Sequence, residues 1–351
     1  MSEQSVETVV IGGGQAGLAT GYHLQRRGGD AVILDAADQV GASWRRRWDS
    51  LRMFTPAGFS HLPGMGFPAR AGESPTKDAM ADYLRAYARR FALPVELGTR
   101  VQAVRRDGAE LLVTAADGRR WRARNVVVAT SAHSRPCIPD VAAVLDRGVT
   151  QLHSGDYRRP EQLPAGPVLV VGAGNSGAEI ALDLVVPAAG GTERRVYLAG
   201  RDVGHVPPLG SWTYPLMQML GRPGAALSQR GLRGGAEPLG RIRPGDLAAA
   251  GVQRLPRVIG GRDGLPVTAD GATVDVAAVV WCTGFRPDHR FLPLPVLDAG
   301  GRHVVHRRGI TGEPGLYVVG MPYQSSITSH LVGGVGKDAA YVVDHLARRR
   351  G

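Results

Sequence analysis

Two glycine-rich loops contain the residues whose types and spacing could do chemistry. The first, Gly12-Gly13-Gly14-Gln15-Ala16-Gly17, directly follows the apolar run Val9-Val10-Ile11. In a strand–GxGxxG–helix unit the first glycine permits a tight turn, the second lets the backbone approach a pyrophosphate, and the third lets helix and strand pack closely. The phosphates then lie against unpaired amides at the positive end of the helix dipole. We therefore expect this loop to bind a dinucleotide.

An acidic residue follows the first loop at the spacing that a ribose contact requires. Asp35 lies 18 residues after Gly17, at the end of the apolar run Ala31–Leu34. A carboxylate at that point accepts hydrogen bonds from ribose hydroxyls. Strand, loop, helix, second strand and acid all agree, so glycines that merely make a turn are the weaker interpretation. The predicted contacts of this dinucleotide are Gly12, Gly14, Gln15, Ala16, Gly17 and Asp35.

The second loop, Gly172-Ala173-Gly174-Asn175-Ser176-Gly177, follows another apolar run, and the next predicted strand ends in Gly200-Arg201. An acid there would repel a 2′-phosphate, whereas an arginine can pair with it through two hydrogen bonds. The sequence therefore predicts NADP(H) at this loop. A solvated Arg201 is the alternative, because arginine is abundant in this chain. The predicted contacts are Gly172, Gly174, Asn175, Ser176, Gly177 and Arg201.

Two such loops in one chain predict FAD at the first and NADPH at the second, with hydride passing from nicotinamide to flavin. Their first glycines are 160 residues apart, which indicates a duplicated domain rather than a short repeat. The predicted fold class is α/β, with two Rossmann-like dinucleotide-binding domains. We place the NADPH domain, 141–283, as an insertion between two parts of the FAD domain, 1–140 and 284–351. The hinges are expected near Thr130-Ser131 and Thr283-Gly284.

The remaining segments are assigned to these two domains. A helix is predicted from about Thr76, because Met80, Leu84 and Tyr87 fall on one apolar face. Short β-like runs separated by Asp-Gly pairs predict an antiparallel meander over 95–129. A strand at 316–319 and a C-terminal helix at about 335–349 are predicted to close the chain. Residues 205–250 are rich in proline and glycine and carry no interpretable pattern.

The amino-acid composition limits the classes of protein to which this chain can belong. The chain has 351 residues, of which 43% are hydrophobic, enough for ordinary cores and for two domains. No apolar run reaches the roughly 18 residues of a membrane span, and no signal peptide is visible at the N-terminus. Cys137 and Cys282 are too far apart for a CxxC redox or zinc motif. We expect a cytoplasmic protein without a metal site.

The net charge of +11 raises the question of nucleic-acid binding. However, 40 of the 42 basic residues are arginine, with Lys77 and Lys337 as the exceptions, and the arginines are scattered. We find neither a basic stripe nor a binding motif, so the expected partners are a small-molecule substrate and O2 rather than a nucleic acid. A homodimer is left open.

Beyond the glycine loops, several stretches resemble the flavin-containing monooxygenases, the class B flavoprotein monooxygenases, in their small bacterial form. Gly41-Ala42-Ser43-Trp44 is similar to the GGxW segment that lies along the flavin in this family. Residues 48–56 and 60–64 resemble its DSLRLxTP and LPG stretches. Residues 172–179 match its GxGNSGxE form of the NADPH loop, and 153–157 resemble the end of its fingerprint. The resemblance covers essentially the whole chain.

The resemblance implies a monooxygenase that oxygenates a small nitrogen or sulfur nucleophile through a flavin hydroperoxide, with NADP⁺ retained. It implies contacts of Trp44 with the flavin and of Asn175 and Ser176 with the nicotinamide half. It also places the loop containing Gln324 near the pyrimidine edge of the flavin. No acid–base pair or nucleophile is needed, so no catalytic side chain is singled out.

Three positions depart from the family pattern. The front half of the fingerprint is missing around Arg147 and Val149, Phe54 stands where several members carry an active-site Asn, and Gly320-Met321-Pro322 lacks an Asp. Tyr157, in place of Trp, favours oxygenation of heteroatoms over Baeyer–Villiger chemistry. Two alternatives remain: an NADPH-dependent flavoprotein reductase that passes electrons to a partner or a quinone, and a non-catalytic flavoprotein redox sensor. Disulfide chemistry of the thioredoxin-reductase type is excluded by the missing CxxC.

Overall fold

A computed structural model describes residues 3–186, 194–206 and 238–349. Its helices are α1 (Gln15–Arg26), α2 (Ala42–Arg45), α3 (Lys77–Arg90), α4 (Asn175–Val185), α5 (Pro244–Ala249) and α6 (Val332–Arg348). The segment 205–250, in which the sequence shows no interpretable pattern, lies partly outside the described residues. None of the helices in the described residues combines the length and apolar character that crossing a bilayer requires.

The strands form two sheets whose central strands are parallel, and two further pairs of short antiparallel strands. The strands of the first half of the chain are β1 (Glu3–Ile11), β2 (Ala31–Leu34), β3 (Val95–Glu96), β4 (Val101–Asp107), β5 (Glu110–Ala115), β6 (Arg120–Val128), β7 (Arg135–Pro136), β8 (Thr150–His153) and β9 (Val168–Val171). Those of the second half are β10 (Val196–Ala199), β11 (Gln253–Leu255), β12 (Val258–Arg262), β13 (Leu265–Thr268), β14 (Ala278–Trp281), β15 (Phe285–Arg286), β16 (His306–Arg307), β17 (Ile310–Thr311) and β18 (Leu316–Val318).

The larger sheet combines the two ends of the chain. Its order is β16-β17-β18-β6-β1-β2-β3, with the predicted meander strand β5 pairing antiparallel with both β4 and β6. The smaller sheet has the order β11-β10-β9-β14-β8 and uses only residues between 150 and 281. The predicted α/β fold class is confirmed, because the residues that form the smaller sheet lie along the chain between the two parts that form the larger one. The exact domain boundaries stay a prediction.

Local signals explain where the helices begin. The Thr76 side chain accepts a hydrogen bond from Ala79 N–H (3.1 Å) and caps α3, which satisfies one of the unpaired first-turn amides. Met80, Leu84 and Tyr87 are fully buried on the predicted face. By contrast, α1 and α4 begin at Gly14 and Gly174 with no side-chain cap. Their first-turn amides are therefore available to a ligand.

Two connections cross between the sheets, and they pair with each other. The chain leaves the larger sheet after β6 and returns after β14, and the crossing strands β7 and β15 form an antiparallel pair with Phe285 opposite Pro136. The two predicted hinges adjoin these strands. Thr283 Oγ1 donates to the Cys137 carbonyl, which ties the two crossings together.

A segment that precedes the insertion nevertheless packs into the core of the smaller sheet. Trp48 and Leu51 are 4% and 9% exposed and belong to the same buried hydrophobic cluster as Ala178 and Ile180 of α4. Asp49 N–H also donates to the Arg158 carbonyl (2.8 Å). The segment Trp44–Phe54 therefore joins the two sheets physically, although the sequence assigns it to the first.

Replacing Leu51 with Ala should lower the free energy of unfolding by about 2–5 kcal/mol, because it leaves a cavity in that shared core. Denaturant unfolding followed by circular dichroism, with FAD in excess, measures the change. Leu97→Ala is the matched control, since that leucine is 39% exposed. Equal losses in the two variants would mean that Leu51 does not anchor the segment.

Candidate functional site

The first glycine loop is shaped by contacts that leave no room for side chains. Gly12 has a φ of +109°, and a Cβ there would lie 2.8 Å from the Ala129 carbonyl oxygen. A Cβ on Gly17 would overlap the Gly12 carbonyl. Glycine is therefore required at both positions, one for the turn and one for the packing of α1 against β1.

Gly14 differs from its two neighbours in the motif, because a Cβ there would meet nothing within 4 Å. Gly14, Gln15 and Ala16 line a cavity of about 1230 Å³, whereas the pocket of a single small ligand measures roughly 300–1,000 Å³. Open space in front of uncapped amides fits the pyrophosphate of a dinucleotide. The Gln15 side chain donates to the His330 carbonyl (3.0 Å) and joins this loop to the start of α6.

Asp35 stands at the end of β2 on the wall of the same cavity. Its carboxylate accepts hydrogen bonds from Gly13 N–H (2.5 Å) and Ala37 N–H (2.7 Å). These bonds fix the carboxylate beside the loop. The geometry fits the predicted ribose contact, because an ionised carboxylate has acceptor capacity beyond two bonds.

The second loop repeats the first closely. Gly172 has a φ of +108°, and a Cβ on it would overlap the Cys282 carbonyl, while one on Gly177 would overlap Gly172. Gly174 again faces open space. Because the two loops share the same backbone path, the residues present fit a second pyrophosphate in the same manner.

Asn175 and Ser176 line the cavity from the first turn of α4. The Asn175 amide is held from both sides: it donates to the Pro238 carbonyl (3.2 Å) and accepts from Gly240 N–H (3.0 Å). The structure thus gives Asn175 a protein contact that the sequence does not reveal. It fixes residues 238–240 close to Phe54, which would be 3.7 Å from a Cβ on Gly240.

Arg201 is exposed just beyond β10, after Gly200 with its φ of +146°. It lies outside the cavity lining that is described. Arg254, on the neighbouring strand β11, donates to the Gly200 carbonyl (2.9 Å) and holds this turn. A location beyond the strand end is where the 2′-phosphate of NADPH is read.

Trp44 and Gln324, the two residues predicted to lie near the flavin, differ in placement. Trp44 lines the cavity and packs against the hydrophobic cores of both sheets. Gln324 is buried away from the described lining, where its amide donates to the Val318 carbonyl (3.1 Å) and accepts from Met321 N–H (3.3 Å). The wall at this end is formed instead by Pro322 and by His330–Val332, where α6 begins. The sequence predicted a helix start here at about Val335, and the helix begins three residues earlier, at Val332.

A histidine at the end of β8 binds the crossing that returns to the larger sheet. His153 Nδ1 accepts from Gly155 N–H (3.0 Å), so Nε2 carries the proton and donates to the Gly284 carbonyl (3.0 Å). The residue is 2% exposed, and burial lowers its pKa, although the bond to Gly284 and the nearby Asp156 oppose that shift. The neutral ring therefore holds the returning hinge against β8.

Three titratable groups of the cavity, Arg47, His133 and Glu179, were not among the predicted site residues. The Arg47 guanidinium lies 5.3 Å from the centre of the Phe285 ring. His133 lines the cavity with an exposed side chain. Desolvation by the surrounding walls, with Arg47 and His330 nearby, lowers its pKa to about 4, so this histidine is neutral. Arginine is too frequent in this chain for Arg47 to stand out, and the neighbours of His133 are brought together only by folding.

Gly14→Val should leave the protein folded but unable to hold FAD, because the side chain fills the space of the pyrophosphate while its Cβ meets no protein atom within 4 Å. Flavin absorbance per chain after purification, together with far-ultraviolet circular dichroism, measures both effects. Gly312→Val, at another glycine with an open surrounding, should keep its flavin. A yellow Gly14→Val protein would contradict the assignment of the loop.

Acid should weaken the hinge through His153. Its folded pKa lies below the unfolded value near 6.5, so its contribution to stability is complete above pH 6.5 and is lost as the pH falls through the folded pKa. His153→Gln should therefore show a shallower loss of unfolding free energy between pH 7 and pH 5 than the wild type. His61→Gln, at an exposed position, is the control. Identical slopes for the His153 variant and the wild type would contradict this role.

Comparisons with known proteins agree with this geometry. The family model described as pyridine nucleotide-disulphide oxidoreductase matches residues 9–202. A CzcO-like uncharacterized oxidoreductase of Geobacillus kaustophilus is 37% identical over 352 residues, which covers 97% of this chain and 98% of the relative. Indole-3-pyruvate monooxygenase YUCCA4 of rice is 34% identical over 232 residues, 60% of this chain and 52% of the relative.

A solved structure is similar over the whole chain. The flavin-containing monooxygenase of Stenotrophomonas maltophilia superposes with a TM-score of 0.81 at 31% identity, covering 99% of this chain and 100% of that one. The resemblance inferred from the sequence motifs is confirmed, as are the cofactors FAD and NADPH. The chain belongs to the pyridine nucleotide-disulphide oxidoreductase family. It is an NADPH-dependent flavoprotein oxidoreductase similar to the flavin-containing monooxygenases.

Proposed function

We propose that the protein oxygenates a small nitrogen or sulfur nucleophile, using FAD, NADPH and O2. One observation carries the proposal: residues from both glycine loops, Gly14 and Ser176 among them, line one shared cavity. Each glycine loop and the first turn of the helix after it form a phosphate-binding cradle. Two cradles that open into one cavity let the nicotinamide reach the flavin, whereas cradles on opposite surfaces would not. The route through a flavin hydroperoxide, predicted above, is part of this proposal.

We assign FAD to the cradle of α1 and NADPH to the cradle of α4. In this assignment Asp35 accepts from the FAD ribose, Trp44 lies along the flavin, and Arg201 pairs with the 2′-phosphate. Gln324 contributes indirectly, by holding the loop that precedes α6. The remaining contacts are Gly12, Gly14, Gln15, Ala16 and Gly17 for FAD and Gly172, Gly174, Asn175, Ser176 and Gly177 for NADPH. The domain bounds 1–140, 141–283 and 284–351 belong to the same proposal.

When bound, FAD accepts a hydride and supplies the electrons for oxygen transfer. The chain binds and orients the two nucleotides and limits the access of water. Phe54, 37% exposed, offers an apolar surface within the cavity. The neutral His133 adds no charge there.

The reaction class is tested by oxygen transfer. Under ¹⁸O2, the protein with NADPH and a panel of thioethers and amines should release product that contains one ¹⁸O atom for each NADPH oxidised. The reductase alternative predicts instead fast oxidation of NADPH with quinone or dye acceptors and no labelled product. Negligible turnover under both conditions would favour the redox sensor.

Arg201→Ala should raise the KM for NADPH by about 10- to 150-fold and leave that for NADH nearly unchanged, since a charge-assisted contact is worth roughly 1.5–3 kcal/mol. Steady-state kinetics with both nucleotides measure the difference. Arg195→Ala, exposed before the opposite end of the same strand, should affect neither. A similar loss with NADPH and NADH would show that Arg201 does not read the 2′-phosphate.

A further inference from the structure

Glu179 is a carboxylate on the wall of the cavity that the proposed function does not use. It lies in the second turn of α4, and its side chain is 10% exposed. Oε1 is 3.3 Å from the Arg241 guanidinium, which is 38% exposed. Oε2 is buried and makes no hydrogen bond of good geometry with any described residue. Burial of a carboxylate is costly unless its surroundings compensate, so its place in this wall requires an explanation.

The second neighbour of Glu179 comes from the segment Trp44–Phe54. The Trp48 indole is buried, and its Nε1–H likewise lacks a well-aligned acceptor among the described residues. Trp48 and Glu179 line the same cavity wall, and the indole lowers the pKa of the Glu179 carboxylate. Two buried groups, a donor and an acceptor, therefore compensate each other in imperfect alignment.

Arg241 connects Glu179 to the other wall of the cavity. It directly follows Gly240, whose N–H donates to Asn175 in the first turn of α4 (3.0 Å). The Gly240 backbone also approaches Phe54. An anchor at Arg241 therefore fixes a segment that contacts both the start of α4 and the apolar surface of the cavity.

The charge state of Glu179 changes near neutral pH. Burial raises its pKa to about 7, although Arg241 and Trp48 oppose that rise. The other acids nearby are engaged elsewhere: Asp183, one turn later on α4, accepts from the Tyr157 hydroxyl (2.7 Å), and Asp246 on α5 accepts from Arg243 N–H (2.8 Å). Above pH 7 the carboxylate is ionised and paired with Arg241. Below pH 7 the carboxylate is protonated, and Arg241 keeps its positive charge without an anionic partner at this position.

We propose that Glu179 is a positioning residue for hydride transfer, holding Trp48 on the flavin side and Arg241 on the NADPH side of one helix. The inference rests on the proposed function, because that function assigns α4 to NADPH. The ionised side chain draws both neighbours toward α4 and sets the position of its first turn relative to the segment Trp44–Phe54. A misplacement of about 1 Å between reacting groups can cost 100-fold in rate.

Stopped-flow reduction of the FAD-loaded protein by NADPH without oxygen tests the proposal between pH 5.5 and 9. The wild-type rate constant should rise through an inflection near pH 7 to a plateau. Glu179→Gln should lack this inflection and reach a rate about 10- to 100-fold below that plateau, with a smaller change in the Kd for NADPH. Asp183→Asn is the matched control on the same helix and should keep the wild-type inflection.

A second readout does not depend on activity. In protein with ¹⁵N-labelled tryptophan, the Trp48 indole signal, identified among the five tryptophans by its loss in Trp48→Phe, should titrate near pH 7. It should not titrate in Glu179→Gln. The rate losses of Glu179→Gln and Trp48→Phe should also fail to add in the double variant, since both remove one contact.

An unchanged inflection in Glu179→Gln, a Trp48 signal that ignores pH near 7, or additive losses would each overturn the role of Glu179. These results differ from a failure of the proposed function. If NADPH does not reduce the wild-type flavin at any pH, the assignment of α4 to NADPH is wrong. If NADPH reduces the wild-type flavin and the Glu179→Gln variant behaves like the wild type, the proposed function stands and Glu179 has no part in it.

Discussion

The close approach of two helices to the loops that precede them is the constraint on which the rest of this structure depends. At Gly17 and Gly177 a single added carbon would overlap the carbonyl of the first loop glycine. Because these contacts are so tight, α1 and α4 start directly at the strand ends, with their unpaired amides facing outward. Capping residues would satisfy those amides, and here none is present. The structure leaves them to a ligand, at Gly14 and at Gly174 alike.

The second requirement is that the two cradles face each other. The strand pair β7–β15 holds the two crossings together, and the His153 bond to Gly284 holds the returning crossing against β8. The segment Trp44–Phe54 adds a connection of a different kind, because Trp48 and Leu51 are core residues of the smaller sheet. The wall between the two cradles is therefore built from side chains of both units. Glu179 and Trp48 line that wall, and Arg241 pairs with Glu179. This arrangement is the physical basis of the positioning role that we propose for Glu179.

Much of this arrangement could be predicted from the sequence because it depends on local rules. The glycine spacings, the acid after β2 and the apolar face of Met80, Leu84 and Tyr87 each follow from backbone geometry within one turn or one strand. The same holds for the meander before β6, where Asp-Gly pairs mark the turns. The duplication was visible for the same reason, since each loop is a local motif. Family membership followed from such motifs and was confirmed by relatives over nearly the full chain.

The sequence by itself determined the two cradles, the order of strands and helices around them and the class of cofactor, because these depend on residues that are close along the chain. Only the tertiary structure decided which distant groups meet. It turned Gln324 away from the cavity, engaged Asn175 with residues 238–240 and brought Glu179 beside Trp48, 131 positions earlier in the sequence. These placements depend on packing between elements and on the cost of burying polar groups. Neither of those leaves a periodic or spaced pattern in the order of residues.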